Sequence, residues 1–316
     1  TAHPVGCREN VKRQIEYMKQ LGTCDGPRKV LIIGASTGYG LASRIASAYC
    51  NGASTIGVMF EKESNGRRTA TPGYYNTKAF ESFAHSDGLY AKSINGDAFS
   101  KEVKEHVIDL IRNDLGSVDM VIYSLAAPRR TTADGITYQS VLKTTSSDFT
   151  NKSWNLKDNT ITEATITPAT EEETLATIKV MGGEDWVDWM NALADAGVLA
   201  DGAITIAYSY LGPKLTYPVY FNGTIGMANK ALVTQASAAI PIVPLYFAIL
   251  YKVMKRKGLH EGCIEQIGRL FHEKLFSGTP VLDEEGRIRL DDWELRDDIQ
   301  QEVMEIWDKI NTENIK

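Results

Sequence analysis

The chain has 316 residues, of which 43% are apolar and 23% charged, and a formal net charge of −6. That length can bury one large α/β core, and the acidic balance excludes a phosphate-neutralising surface, so neither nucleic acid nor an anionic membrane is an expected partner. The cysteines Cys7, Cys24, Cys50 and Cys263 form no C-x-x-C pair, so their spacing indicates neither a metal site nor a disulfide framework, and a reducing cytoplasm is the expected compartment. The longest apolar run, 238–250, is too short to span a bilayer and carries Pro241 and Pro244. No signal-peptide pattern opens the chain, although Thr1 is not an initiator methionine.

Taken in chain order, residues 11–19 have helical spacing through Val11, Ile15 and Met18. The most informative stretch follows at 29–44, KVLIIGASTGYGLASR. Its apolar run at 30–33 predicts a buried parallel strand. Gly34, Gly38 and Gly40 predict a tight turn, and 41–50 a helix. Such a turn aims backbone N–H groups and the positive end of a helix at one point, which suits a pyrophosphate. Residues 53–60 read as a second buried strand ending at Glu61, whose carboxylate can accept hydrogen bonds from the adenosine ribose and repel a 2′-phosphate, favouring NAD over NADP. Asp97 and Ala98 follow the polar stretch 92–96 at a strand end. An amphipathic helix at 103–113 leads to another parallel-type strand at 118–125, which closes on the small residues of YSLAAP (123–128). Alternating strands and helices predict an α/β fold with a doubly wound parallel sheet, extra helices and one ligand-binding edge, and the G-x3-G-x-G spacing of the turn resembles the short-chain dehydrogenase/reductase superfamily, which implies a Rossmann architecture.

Residues 135–170 are rich in Thr, Ser and Asn and alternate as NTITEATIT at 159–167. They predict a small antiparallel β insertion, a flap near the active site. Helices are expected at 171–181 and 186–196, a strand at 203–211, helices at 240–257 and 260–276, and a charged amphipathic helix in the tail from 283 on. The whole chain, 1–316, reads as one domain with a substrate-side helical region at about 235–280. The apolar stretch 239–254 fits either plain core or an acyl-chain pocket. His260, Glu261 and Cys263 fit a helix cap with packing better than a metal site. Arg129 and Arg130 could meet phosphates or form ion pairs.

A reductase of this kind needs an acid where negative charge develops on oxygen, and a tyrosine hydroxyl can supply it. Tyr210 and Lys214 match the superfamily's Tyr-x3-Lys formally, but Gly212-Pro213 cannot sit inside the helical turn that this spacing requires. Lys214 is expected in a loop.

TAHPVGC (1–7), GASTGYGLASR (34–44), YSLAAPRR (123–130), KVMGGEDW (179–186), AYSYLGP (207–213), ALVTQASAAIP (231–241) and HEGCIEQI (260–267) together resemble the NADH-dependent trans-2-enoyl-CoA reductases and the related FabV-type enoyl-acyl-carrier-protein reductases, over nearly the whole chain. The resemblance implies NADH as cofactor. Gly34, Ala35, Ser36, Thr37, Gly38 and Tyr39 would bind its pyrophosphate and ribose. Phe60 and Glu61 would face the adenosine, Asp97 and Ala98 the adenine, Leu125 and Ala126 the nicotinamide-side ribose, and Leu232, Val233 and Thr234 the nicotinamide amide. Tyr220 would be the catalytic acid, and Tyr210 would bind the substrate thioester. The substrate would be an enoyl-CoA or an enoyl-acyl-carrier protein, with the wording at 229–235 and 291–298 closer to the coenzyme A branch, and the protein would act as a monomer. The family's pair is Tyr-x8-Lys, yet the position that should hold lysine is Asn229. Ala228 runs directly into a sequence that the family places later, so a segment of some tens of residues carrying the lysine is expected to be missing between 228 and 229. Both ends are expected to be short by the same comparison. A non-catalytic NADH-binding or redox-sensing protein is the alternative that this leaves open.

Overall fold

The computed structural model describes residues 2–210, 212–230, 242–259, 262–276, 280–283, 286–290 and 293–315. Helix α1 (Pro4–Leu21) opens on His3, whose Nδ1 accepts from the Gly6 N–H, and it buries Val11, Ile15 and Met18 as its spacing predicts. The glycine-rich stretch folds as strand β1 (Lys29–Ile33) and helix α2 (Gly38–Cys50). Strand β2 (Ser54–Met59), helix α3 (Pro72–Ser86), strand β3 (Ala91–Asn95), helix α4 (Lys101–Asp114) and strand β4 (Val118–Tyr123) follow. Strand β9 (Leu199–Ala207) completes a five-stranded parallel sheet in the order β3-β2-β1-β4-β9.

Both faces of this sheet are covered, which is why β1 and β4 read as continuous apolar runs. Val30 and Ile32 face the core under α1, α2 and α3, while Leu31 and Ile33 face the core under α4 and α6 (Glu184–Asp195). Expected strand 203–211 instead starts at Leu199 and stops at Ala207. Beyond it Tyr208 N still donates to the Tyr123 carbonyl at 3.1 Å, and the buried Tyr208 ring holds its hydroxyl 2.7 Å from Ser43 Oγ.

The β insertion begins earlier than its composition suggests. Strands β5 (Arg129–Thr131) and β6 (Thr137–Gln139) form one antiparallel pair, and β7 (Phe149–Asn155) and β8 (Thr160–Ile166) form another. Phe149, Trp154, Ile161 and Ile166 pack on a third core built from helices α5 (Glu171–Met181), α7 (Thr224–Lys230), α8 (Ile242–Arg256) and α10 (Asp297–Lys309). Lys152 Nζ reaches the carbonyls of Trp307, Asp308 and Ile310 at 2.5, 3.0 and 3.1 Å, placing a cation on the negative C-terminal end of α10. The stretch expected as a helix at 260–276 is α9 (Cys263–Arg269), continued by a π-helical segment, Leu270–Leu275. No helix among the described residues is long and apolar enough to cross a membrane.

Helix α5 starts with a full capping box, Thr170 Oγ1 accepting from Glu173 N at 3.1 Å and Glu173 Oε2 from Thr170 N at 3.0 Å. Thr170→Ala is expected to cost about 1 kcal/mol in urea unfolding. A loss within error of zero would show that solvent satisfies these donors equally well.

Candidate active site

The register aligns Ile33 with Val58 and Tyr123, and Met59 with Asn95, so the residues following β1, β2, β3 and β4 lie along one sheet edge. The glycine turn sits at its centre. Gly34 has φ +86°, and a Cβ there would lie 2.1 Å from the Ser124 carbonyl oxygen. At Gly40 a Cβ would meet the Gly34 oxygen at 2.0 Å. These two glycines let α2 start hard against the ends of β1 and β4. Thr37 precedes α2 without capping it through its side chain, and no acidic residue occupies the first turn. Among the described residues no side chain takes up the first N–H groups of this 13-residue helix, whose positive end lies beside exposed Thr37 and Gly38.

Glu61 leaves the end of β2 with its backbone clamped by Asn95, whose amide exchanges hydrogen bonds of 2.8 and 2.9 Å with it. Its carboxylate accepts from Ser36 Oγ at 2.6 Å, and Asn76 Nδ2 donates to the Ser36 carbonyl at 3.1 Å. Gly73, at the start of α3, gives the carboxylate room, since a Cβ there would lie 2.0 Å from Oε1. Glu61 is thus tied to the glycine turn and is not a freely solvated strand end. Phe60 beside it is 75% exposed, an aromatic face that the protein leaves uncovered. Asp97 accepts from the Phe99 N–H, and buried Ala98 lends its carbonyl to Trp189 Nε1 at 3.1 Å. Leu125 is half-buried and Ala126 exposed just past β4.

The segment after β9 carries the tyrosines. Tyr210 and Tyr220 pack edge to face with ring centroids 4.8 Å apart, and Gly212 (φ +70°) lies against both rings. Lys214 is exposed at the start of a 3₁₀ turn, Lys214–Thr216, so it does not follow Tyr210 on a helix. Thr224 docks α7 by donating to the Val141 carbonyl at 2.6 Å, while Gly223 and Gly226 approach backbone carbonyls too closely for any side chain. Tyr220 is 1% exposed, and burial alone pushes its hydroxyl up to about 12. No hydrogen bond to that hydroxyl forms among the described residues. Tyr210 is raised by burial first and then by Glu294, Tyr220, Tyr246 and Tyr39. Both phenols therefore hold their protons at neutral pH. Tyr208, two residues before Tyr210, packs its ring 5.7 Å from that of Tyr39 and so joins this segment to the glycine turn.

Several residues at this site had no individual role in the sequence. Gln266 on α9 accepts from the Tyr39 hydroxyl. Glu294 accepts from Tyr246 at 3.1 Å, and Gln300 donates to Tyr246 at 3.0 Å. Gln266 lies in HEGCIEQI and Glu294 in DDWELRDD, so the motif wording was the available signal. Arg130 is 5% exposed and spends its guanidinium on Asp188 at 3.0 Å and the Lys179 carbonyl at 3.0 Å, which leaves Arg129 as the exposed cation of the pair. Leu232, Val233, Thr234, His260 and Glu261 lie outside the described residues.

A doubly wound parallel sheet with an uncapped glycine turn and a carboxylate at the next strand end defines a dinucleotide-binding α/β protein. The family models narrow the class. Residues 68–229 and 227–276 match the trans-2-enoyl-CoA reductase catalytic region, 1–66 the NAD(P)H binding domain of trans-2-enoyl-CoA reductase, and 282–316 a model described as enoyl reductase FAD binding domain. The chain belongs to the trans-2-enoyl-CoA reductase family. It is 54% identical to an enoyl-[acyl-carrier-protein] reductase [NADH] of Flavobacterium johnsoniae over 343 aligned positions, covering 100% of this chain and 87% of that one. It is 50% identical to a trans-2-enoyl-CoA reductase [NADH] of Ruminiclostridium cellulolyticum, with the same coverage. A crystal structure of Treponema denticola trans-2-enoyl-CoA reductase in complex with NAD matches 99% of this chain and 87% of that one, at a TM-score of 0.93 and 44% identity.

The name of the third model raises the question of a flavin. Helix α10 begins with Asp297 and Asp298, the latter paired with Arg296 at 3.0 Å, and its buried face (Ile299, Val303, Trp307) is spent on the third core. Carboxylates at a helix start disfavour a pyrophosphate. The described residues of 282–316 do not fit a flavin dinucleotide.

Proposed function

We propose that the protein reduces the trans-2 double bond of enoyl thioesters with NADH, and that crotonyl-CoA is a representative substrate. The observation that carries this reading is a proton-holding, buried Tyr220 packed on Tyr210, in a segment whose Tyr208 ring lies 5.7 Å from that of Tyr39 in the glycine turn. The turn fits a dinucleotide, because Gly34 and Gly40 open the space, α2 offers uncapped N–H groups, and Ser36 with Asn76 steadies Glu61. NADH bound there supplies a hydride for the β-carbon of the substrate. Gly34 to Tyr39 would hold its pyrophosphate, Glu61 and Phe60 its adenosine, and Leu125 and Ala126 the far ribose. As the β-carbon gains the hydride, the π electrons move toward the thioester oxygen. The Tyr220 hydroxyl donates a hydrogen bond to that oxygen in a dry setting where such a bond is worth most. Tyr210 orients the thioester, and uptake of one proton from solvent at the α-carbon completes the reduction.

Glu61→Ala is expected to lower the ratio of kcat/KM for NADH over NADPH, because the charge opposing a 2′-phosphate is gone. An unchanged ratio removes Glu61 from the cofactor site.

The catalytic lysine belongs to a segment absent between Ala228 and Asn229. Two facts support this. The catalytic-region model matches in two pieces that meet at 227–229, and alignment with the Flavobacterium relative spreads 316 residues over 343 positions. An intact peptide crossing Ala228–Asn229 in a digest of the natural protein would overturn it. The free cysteines suit a reducing cytoplasm.

Loss of NADH absorbance with crotonyl-CoA and with crotonyl-acyl-carrier protein, side by side, tests the function. Faster turnover of the coenzyme A thioester is expected from the wording at 291–298. The 54% identity to an enzyme named for the acyl-carrier protein favours the second carrier, and faster turnover of that thioester would select it. Tight NADH binding without turnover of either would leave a non-catalytic NADH-binding protein.

A further inference from the structure

Two of the four cysteines, far apart in sequence, meet a histidine on the side of α2 remote from the glycine turn. Cys24 lies in the loop before β1, Cys50 is the last residue of α2, and His272 lies in the π-helical segment after α9. Their Sγ, Sγ and imidazole nitrogen atoms all lie within 4.8 Å of one another. Cys50 Sγ is 3.2 Å from His272 Nε2, and the Cys24 thiol donates to Asn51 Oδ1 at 2.9 Å. Tetrahedral zinc, with bonds of about 2.3 Å to sulfur and 2.0–2.1 Å to nitrogen, needs ligand atoms about 3.5–3.8 Å apart. Adjustments of an ångström or less reach that spacing.

The loop before β1 is braced against the end of α2 beside the cluster. Cys24 N donates to the Cys50 carbonyl at 3.2 Å, Arg28 donates to the Asn51 carbonyl, and Gly26 is so close to Asn51 that a Cβ would lie 2.5 Å from its Nδ2. The π turn is a second feature pointing the same way. Its wider winding re-aims side chains, and such turns recur at functional sites. Here Leu270 and Phe271 enter the core while His272 meets Cys50.

We propose that Cys24, Cys50 and His272 form a binding site for a thiophilic d¹⁰ metal ion, with Zn²⁺ as the ion to test. Two thiolates and a neutral imidazole are a borderline-soft donor set. Cys24 and His272 are each half-buried, so the fourth position is left to water. Binding replaces two S–H bonds with two metal–sulfur bonds and releases two protons, and the imidazole adds its lone pair without losing one. The ion would clamp the loop before β1, the end of α2 and the π segment together. The site is independent of the reductase chemistry.

The test uses reduced, chelator-washed protein titrated with Zn²⁺ against a chromophoric chelator, with Co²⁺ as a spectroscopic substitute. One tight equivalent, two protons released, thiolate-to-cobalt charge-transfer absorption and a raised Tm are expected. Cys24→Ser and His272→Asn, both at half-buried positions, should each weaken Zn²⁺ binding by more than the about 10–100-fold typical of outer-shell changes, while Cys7→Ser should not. Cys50 is buried, so the two half-buried positions carry the test and Cys50→Ser is not required. Equal affinity in Cys24→Ser and His272→Asn, no binding by the unaltered protein, or a Cys24–Cys50 disulfide that forms in place of metal capture would each overturn the proposal.

Discussion

Tyr220→Phe is expected to lower kcat/KM for crotonyl-CoA by about 10²–10⁴-fold, the range associated with removing a positioned acid, while NADH affinity stays unchanged. The hydroxyl is the only group removed, and no hydrogen bond to it forms among the described residues, so folding should lose little. Burial pushes the phenol up to about 12. The protonated form is the one present below that value, so the Tyr220 hydroxyl keeps its proton throughout the neutral and mildly alkaline range. Steady-state kinetics with stopped-flow NADH binding separates the two effects. Full activity in Tyr220→Phe would move the acid to Tyr210, whose hydroxyl burial also raises.

The largest loss of stability is expected at Asp185. This carboxylate is 1% exposed and joins Lys104 Nζ at 2.6 Å to the Tyr123 hydroxyl at 2.9 Å. Burial raises it more than Lys104 and Tyr123 lower it. Lys104 also lies over the Trp189 ring at 5.6 Å, within a pocket that leaves its side chain 11% exposed. Asp185→Ala strands a buried ammonium and a buried phenol together, and breaking a buried pair from one side costs about 3–5 kcal/mol. Urea unfolding of Asp185→Ala beside the double variant Asp185→Ala with Lys104→Met checks the cause. The double variant should recover much of the loss, because no uncompensated charge remains. A single-variant loss below about 1 kcal/mol, the size of a surface pair, would mean that solvent reaches this cluster. Tyr123 ends β4 where the cofactor edge begins, so a weakened NADH affinity in the same variant is a second expected readout.

The strands that hold the glycine turn were legible because a sheet covered on both faces needs apolar residues at every position. Helix α3 left no such trace. It buries Gly73, Asn76, Thr77 and Ala79 alongside Phe80 and Ala84, so small and polar residues make up much of its inner face and the apolar period is lost. Strands β6 and β7 are short or polar on both faces and were visible only as a change in composition, while β5 lies ahead of that change and left no trace. At the candidate site, local chemistry and motif wording singled out the turn, Glu61 and the tyrosines. The contacts that steady them could not. Gln266 meets Tyr39 across 227 positions of sequence, and Glu294 meets Tyr246 across 48, and no local spacing encodes such pairings. The same holds for Cys24, Cys50 and His272, which looked scattered because the fold alone brings them together.

The order β3-β2-β1-β4-β9 has a consequence for synthesis on the ribosome. Strand β4 can pair with β1 as soon as it emerges, but its other edge waits for β9, which begins only at Leu199. At about 5–20 residues per second, the nascent chain displays that edge for several seconds while the β insertion and two helices are being made. An unpaired central strand is a template for pairing with a neighbouring chain. Slowed translation between Tyr123 and Leu199 should therefore reduce the soluble yield more than an equal delay placed after Ala207.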